Sequence, residues 1–120
     1  MTGWRTLIRP ETLAQLQANH REQGPLKSTR RERDFTPCAK LFVPWGAATF
    51  LLTECDDDGL AFGLSDLGFG SPELGYISLD ELASVRGPGG ITIEEDLYWT
   101  ARQTLNQYAN EARRRGAIED

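Results

Sequence analysis

The chain has 120 residues, a formal net charge of -5, and 39% hydrophobic against 26% charged residues. That is enough chain for one hydrophobic core and an ordinary balance for a folded soluble domain, which excludes a disordered or fibrous protein. The longest apolar run, Ala47 to Leu52, is broken by Thr49 and is far too short to span a bilayer.

Met1-Thr2-Gly3-Trp4-Arg5 lacks the apolar core and cleavage site of a signal peptide, so a cytoplasmic protein is expected. Cys38 and Cys55 are the only cysteines and His20 the only histidine, too few and too far apart for a disulfide framework or a structural zinc site. No metal or cofactor is expected. Charge is unevenly divided: residues 1–40 carry eight Lys and Arg against four Asp and Glu, and residues 41–120 carry five against fourteen.

In chain order, Pro10 and Glu11 suit the first turn of a helix that Gly24-Pro25 ends, with Leu13, Leu16 and His20 on one stripe. Residues 26–39 read as a polar loop. Within it, Lys27, Arg30, Arg31 and Arg33 can touch phosphate, but Glu32 and Asp34 dilute them and no aromatic residue is interleaved. A solvated or mobile connection is the plainer reading.

Lys40 to Val43 forms a short strand that Pro44 stops, and Trp45 to Ala48 a compact turn. Thr49 to Cys55 and Leu60 to Asp66 pair as a hairpin across Asp56-Asp57-Asp58-Gly59, glycine supplying the positive φ. Those three carboxylates lack the alternating ligands of a calcium loop. Leu67 to Gly75 is a glycine-shaped loop without a phosphate-binding pattern, in which Asp66 and Glu73 are a candidate carboxylate pair. Tyr76-Ile77 is the next strand, and Ser78 with Glu81 forms a capping box for a short helix.

A last strand is expected within Ile91 to Trp99, best at Asp96 to Trp99, beside the acidic cluster Glu94-Glu95-Asp96. Thr104 caps a final helix, Leu105 to Arg115, ended by three arginines and Gly116. Residues 117–120 are expected to fray.

The segments Lys40 to Trp45, Ala47 to Glu54 and Phe62 to Leu79, above all Asp66-Leu67-Gly68-Phe69-Gly70-Ser71-Pro72-Glu73-Leu74-Gly75-Tyr76, resemble a family of small bacterial proteins classed as a domain of unknown function, number twenty-nine fifty-eight. The resemblance continues through Ser84 to Pro88 and Glu94 to Trp99, covering most of residues 36–110. It implies a context and not a chemistry: accessory proteins of plasmids, integrative elements and phages, with no catalytic residue to transfer. Residues 27–33 and the C-terminal arginines lie outside the stretches that carry it.

The expected fold is a single α+β domain, residues 1–120, with an antiparallel sheet of about four strands. Helices stand at both ends of the chain, and one short helix follows the third core strand. The expected function is non-enzymatic: a protein-binding inhibitor of a host defence complex, of anti-CRISPR or anti-restriction type. It would act through an acidic face made by Asp56, Asp57, Asp58, Asp66, Glu73, Glu94, Glu95 and Asp96, mimicking phosphate in a basic channel. Two alternatives stand beside it. One is a nucleic-acid-binding accessory protein using Lys27, Arg30, Arg31 and Arg33; the other is a small enzyme built on the glycine loop 67–75.

Overall fold

A computed structural model describes residues 3–119. Met1 and Thr2, read above for a leader, and Asp120, of the tail expected to fray, lie outside them. The strands are β1 (Ala39–Phe42), β2 (Thr49–Cys55), β3 (Leu60–Asp66), β4 (Glu73–Ser78) and β5 (Glu94–Glu95). They form one antiparallel sheet in the order β4-β3-β2-β1-β5. The helices are α1 (Pro10–Gln23), α2 (Leu79–Ser84) and α3 (Leu105–Arg115). The α+β architecture is as expected, with five strands where about four were read. The short helix does follow Tyr76-Ile77, a strand that is fourth in chain order.

Alternation along the strands divides the apolar residues between two layers. Leu41, Phe50, Leu52, Cys55, Ala61 and Ile77 meet Leu13 and Leu16 of α1, Leu79 of α2 and Trp4 on one face. On the other, Leu51 and Leu64, partners in register, meet Leu105, Tyr108, Ala109 and Ala112 of α3. Helices therefore cover both faces of the sheet.

The two faces are reconciled by an irregularity in β2. Leu52 opposes Gly63, yet Glu54 opposes Phe62 and Cys55 opposes Ala61, so Thr53 is an extra residue. A bulge of this kind shifts alternation by one. It lets Leu52 and Cys55 reach the α1 layer together. It also frees the Thr53 carbonyl, which accepts a hydrogen bond from Asn19 Nδ2 at 3.0 Å.

Asn19 and Gln23, both buried, therefore continue the inward stripe of α1, and His20 stands half-exposed beside it. This corrects the expected stripe, and the reason is polar: Asn19 supplies the donor that the open Thr53 carbonyl needs, and Gln23 bonds the backbone of Arg33.

Local signals fixed the helix ends. Pro10 is the first residue of α1. Thr104 and Gln107 form a reciprocal capping box, and Gly116 closes α3 in the left-handed conformation. At α2 the Ser78 hydroxyl accepts from the Glu81 N–H at 3.2 Å, the one half of that expected box that is made.

Three expectations are corrected. Strand β5 is Glu94–Glu95, and Leu97-Tyr98 form a turn, because β1 offers partners only at Leu41 and Phe42. Residues 27–38 are irregular but tethered: Gln23 bridges the backbone of Arg33 with Nε2 donating to its carbonyl and Oε1 accepting from its N–H. The Asp34 carboxylate further on accepts from Asn106 N–H. At the C-terminus, Ile118 packs on the α3 layer and its N–H donates to Asp66 Oδ2 at 2.9 Å, so the described part of the tail is docked.

The three tryptophans pack against the fold, Trp4 buried and Trp45 and Trp99 half-buried. Trp4 lies over Gly59, Trp45 over Gly87, and Trp99 packs beside Tyr108.

Gly63 is needed for space, since a Cβ there would lie 2.0 Å from the carbonyl oxygen of Leu51 across the strand pair. Gly63→Ala is expected to lower stability by more than about 2 kcal/mol, as overpacking against backbone does. Urea unfolding monitored at the tryptophans checks this, and an unchanged midpoint would contradict the close approach.

Candidate functional site

The edge of the sheet at β5 is assembled by one arginine. Arg9 precedes Pro10 at the N-cap of α1. Its backbone N–H donates to Glu95 Oε1 at 2.9 Å, and its guanidinium donates to Glu95 Oε2 from Nη2 at 3.1 Å and Nε at 3.3 Å. The hydrogen bonds to Glu95 raise the Arg9 pKa above its ordinary value. This clamp fastens the start of α1 to the strand that closes the sheet.

Beside it runs an open groove of about 860 Å³ between residues 3–10, α2 and residues 92–97. Arg5 and Arg86 line it with Asp80 and Glu94. Arg5 donates to the Asp57 carbonyl and stacks over Trp4, and Arg86 donates to the carbonyls of Ala83 and Val85. Leu97, 50% exposed, also lines it beside the exposed Glu94, and just outside Tyr98 is 95% exposed.

The eight carboxylates expected on one acidic face are dispersed. Asp56 Oδ1 accepts from the N–H groups of Asp58 and Leu60, shaping the hairpin turn. Asp66 is 4% exposed, and both oxygens are taken, Oδ1 by Gly68 N–H and Oδ2 by Ile118 N–H. Glu95 belongs to Arg9. Asp96 accepts from Tyr98 N–H and lies 3.8 Å from Lys40 Nζ.

Asp57, Asp58, Glu73 and Glu94 are left exposed. Strand spacing and register separate Asp56 from Asp96 by roughly 15–20 Å, so the two acidic clusters are distinct. Asp66 and Glu73 are not a pair either. Glu73 opposes Ser65 in the ladder, which puts its side chain on the face opposite to that of Asp66.

In the loop between β3 and β4, Gly68 and Gly70 hold φ of 88° and 86° and present Phe69, 86% exposed, between them. Gly75 lies within β4. The basic segment acquires in space the aromatic neighbours that it lacks in sequence. The Lys27 ammonium donates to the Tyr76 hydroxyl and lies over its ring, and the Arg33 guanidinium stacks on Phe35 while pairing with Glu22. Arg30 and Arg31 point outward from a turn closed by Glu32 N–H to Thr29 carbonyl.

Among the described residues no group of three or more His, Cys, Asp or Glu side chains is arranged to hold a metal ion, and no helix is long and apolar enough to cross a membrane.

The family model described as "Protein of unknown function (DUF2958)" matches residues 7–119. The chain belongs to this family. The match takes in all three helices, the 27–33 segment and the C-terminal arginines, and so reaches beyond the stretches that carried the resemblance in sequence. No curated protein and no solved structure matches the chain.

Two groups of residues were missed in sequence. Tyr76 and Phe62 lie on β4 and β3, and only the register that opposes them brings them beside Lys27. Glu54 interrupts the apolar run of β2, a signal open to reading. It is buried beside His20, whose Nδ1 is 3.9 Å away. Burial raises its pKa above the ordinary 4.5, partly offset by Lys27 and His20. Burial likewise raises the Cys38 thiol, and burial reinforced by Asp56 pushes Cys55 up to about 12, so neither is an activated nucleophile.

A carboxyl that stays protonated to higher pH when folded takes up a proton on folding, so its contribution to stability falls as pH rises from about 4.5. Glu54→Gln lacks this fall. Its melting temperature is expected to gain on that of the unsubstituted protein between about pH 4 and pH 8. A constant difference across that range would contradict the cause assigned to Glu54.

Proposed function

We propose that the protein acts by binding another protein through the β5 edge and is not an enzyme. The observation that carries this reading is Tyr98, 95% exposed on a turn beside Leu97 and Glu94. Tyrosine is enriched at the buried centres of protein interfaces, where its ring supplies area and its hydroxyl a hydrogen bond. Ile91 and Val85, also exposed, extend the apolar surface around the groove.

Exposed Glu94 gives the patch a negative rim beside Asp96, which Lys40 partly neutralises at 3.8 Å. A partner with a basic surface is thereby favoured, and the rim charges act on its rate of approach more than on affinity. In the context that the family resemblance implies, that partner is a component of a host defence system, a nuclease or CRISPR effector whose basic nucleic-acid channel the acidic patch enters. Asp66 is spent on two backbone N–H groups, which favours a binding protein over an enzyme built on the glycine loop.

Tagged protein is incubated with bacterial host lysate at low and high salt, and stoichiometric partners are compared with those of Tyr98→Ala and Glu94→Lys. Tyr98→Ala is expected to lose the partner by at least tenfold with an unchanged melting temperature, and Glu94→Lys to weaken retention mainly at low salt. Equal retention by both variants would remove the β5 edge from the reading.

A further inference from the structure

The end of the sheet that α3 leaves uncovered carries a second surface, of opposite sign. Register puts Leu60, Phe62, Leu64, Leu74 and Tyr76 on one face of β3 and β4. Helix α3 packs over Leu64, with Leu74 and Phe62 partly covered at its margin. Tyr76 is left 58% exposed, with Phe62 edge-on to it at 5.3 Å between ring centroids, and Leu60 beyond is exposed as well.

Lys27 is fixed at the rim of the Tyr76 ring by its hydrogen bond to the hydroxyl. Two residues further on, the turn at Thr29–Glu32 holds Arg30 and Arg31 out to solvent, and neither has a carboxylate partner among the described residues. Ser28, at φ 62°, and its N–H bond to Glu32 Oε1 at 2.8 Å keep this turn compact. That same bond turns the carboxylate of Glu32 onto the backbone of the turn. In a chain of net charge -5, residues 27–33 hold four cations and one carboxylate.

We propose that this face is a docking site for a single-stranded polynucleotide, one base stacking on Tyr76 and the adjoining phosphates lying against Lys27, Arg30 and Arg31. The chemistry selects that occupant in two ways. Cations alone hold any polyanion, duplex included. A flat ring offered edge-supported beside them takes only a base that is free to leave its own stack. The stacking and phosphate contacts involve no sugar hydroxyl, so DNA and RNA strands of equal length are expected to bind alike. A base arriving on the ring face leaves the Lys27 ammonium at the hydroxyl rim, where it meets the phosphate. The site is on the β4 side of the sheet, at the edge opposite β5, and does not rest on the protein-binding reading.

The test is fluorescence anisotropy of a labelled fifteen-nucleotide oligothymidylate and its RNA counterpart against the full chain, from about 20 to 200 mM NaCl. Three phosphate contacts predict a slope of log affinity against log salt of about -2. Arg30→Glu with Arg31→Glu is expected to cut affinity at least tenfold. Tyr76→Leu should lose about five- to a hundredfold, the range found for one stacked base. Tyr76→Phe keeps the ring and should stay within threefold of the unsubstituted chain. Tyr98→Ala should leave binding unchanged, which separates this surface from the β5 edge. Far-UV circular dichroism of each variant guards against unfolding, and the duplex comparison with the double arginine reversal carries the test if Tyr76→Leu does not fold. Absence of binding at 20 mM salt, equal affinity for a duplex, or indifference to the double arginine reversal would each overturn the proposal.

Discussion

The extra residue at Thr53 is the constraint on which the arrangement depends. Strand β2 is central, flanked by β1 and β3, and it must serve two helical layers. With regular alternation, Leu52 and Glu54 would share a face, and the carboxylate would enter the apolar layer under α1. The bulge lets Leu52 and Cys55 share it and turns Glu54 toward His20 and Lys27. The same local crowding explains why Gly63, opposite Leu52, has no room for a side chain. Its second consequence is the Thr53 carbonyl, whose demand for a donor is met by Asn19 of α1, while Gln23 one turn further on is committed to the Arg33 backbone.

That polar row propagates outward. Gln23 holds Arg33 by its backbone in the manner of a neighbouring strand, Arg33 covers Phe35, and the Phe35 carbonyl accepts from Leu105 at the start of α3. The segment after α1 is thus a strap from one helical layer to the other. The acidic residues are similarly absorbed into structure. Asp56 builds a turn, Asp66 ties the C-terminal segment to the glycine loop, and Glu95 anchors α1 to the edge strand. Counting carboxylates therefore overstates how much negative surface the protein offers.

This also explains what was legible in the sequence. Helix ends were read correctly at Pro10, Thr104 and Gly116, because a cap is satisfied by residues within four positions of it. The β2–β3 hairpin was read for the same reason, from Gly59 and the apolar arms on either side. Strand β5 was misread because two residues become a strand only when β1 pairs with them, and nothing local in Glu94-Glu95 announces that. The engagement of individual carboxylates was hidden by distance: Asp66 meets its second partner fifty-two positions away, and Glu95 meets Arg9 eighty-six away. The 27–33 segment looked free for want of a visible partner, and Tyr76 is forty-nine residues on. Local chemistry was readable, whereas its commitment to distant partners was not.

The same long-range pairing gives the molecule its functional geometry. Strand order sets β4 and β5 at opposite edges, four strand spacings or about 19 Å apart. At one edge an exposed tyrosine keeps company with carboxylates, and at the other with lysine and arginine. Opposite signs at that separation are weakly coupled, since a Debye length at physiological salt is about 8 Å. Each surface can therefore engage a partner without neutralising the other. The low overall pI, about 4.9, reports the sum of the two and describes neither.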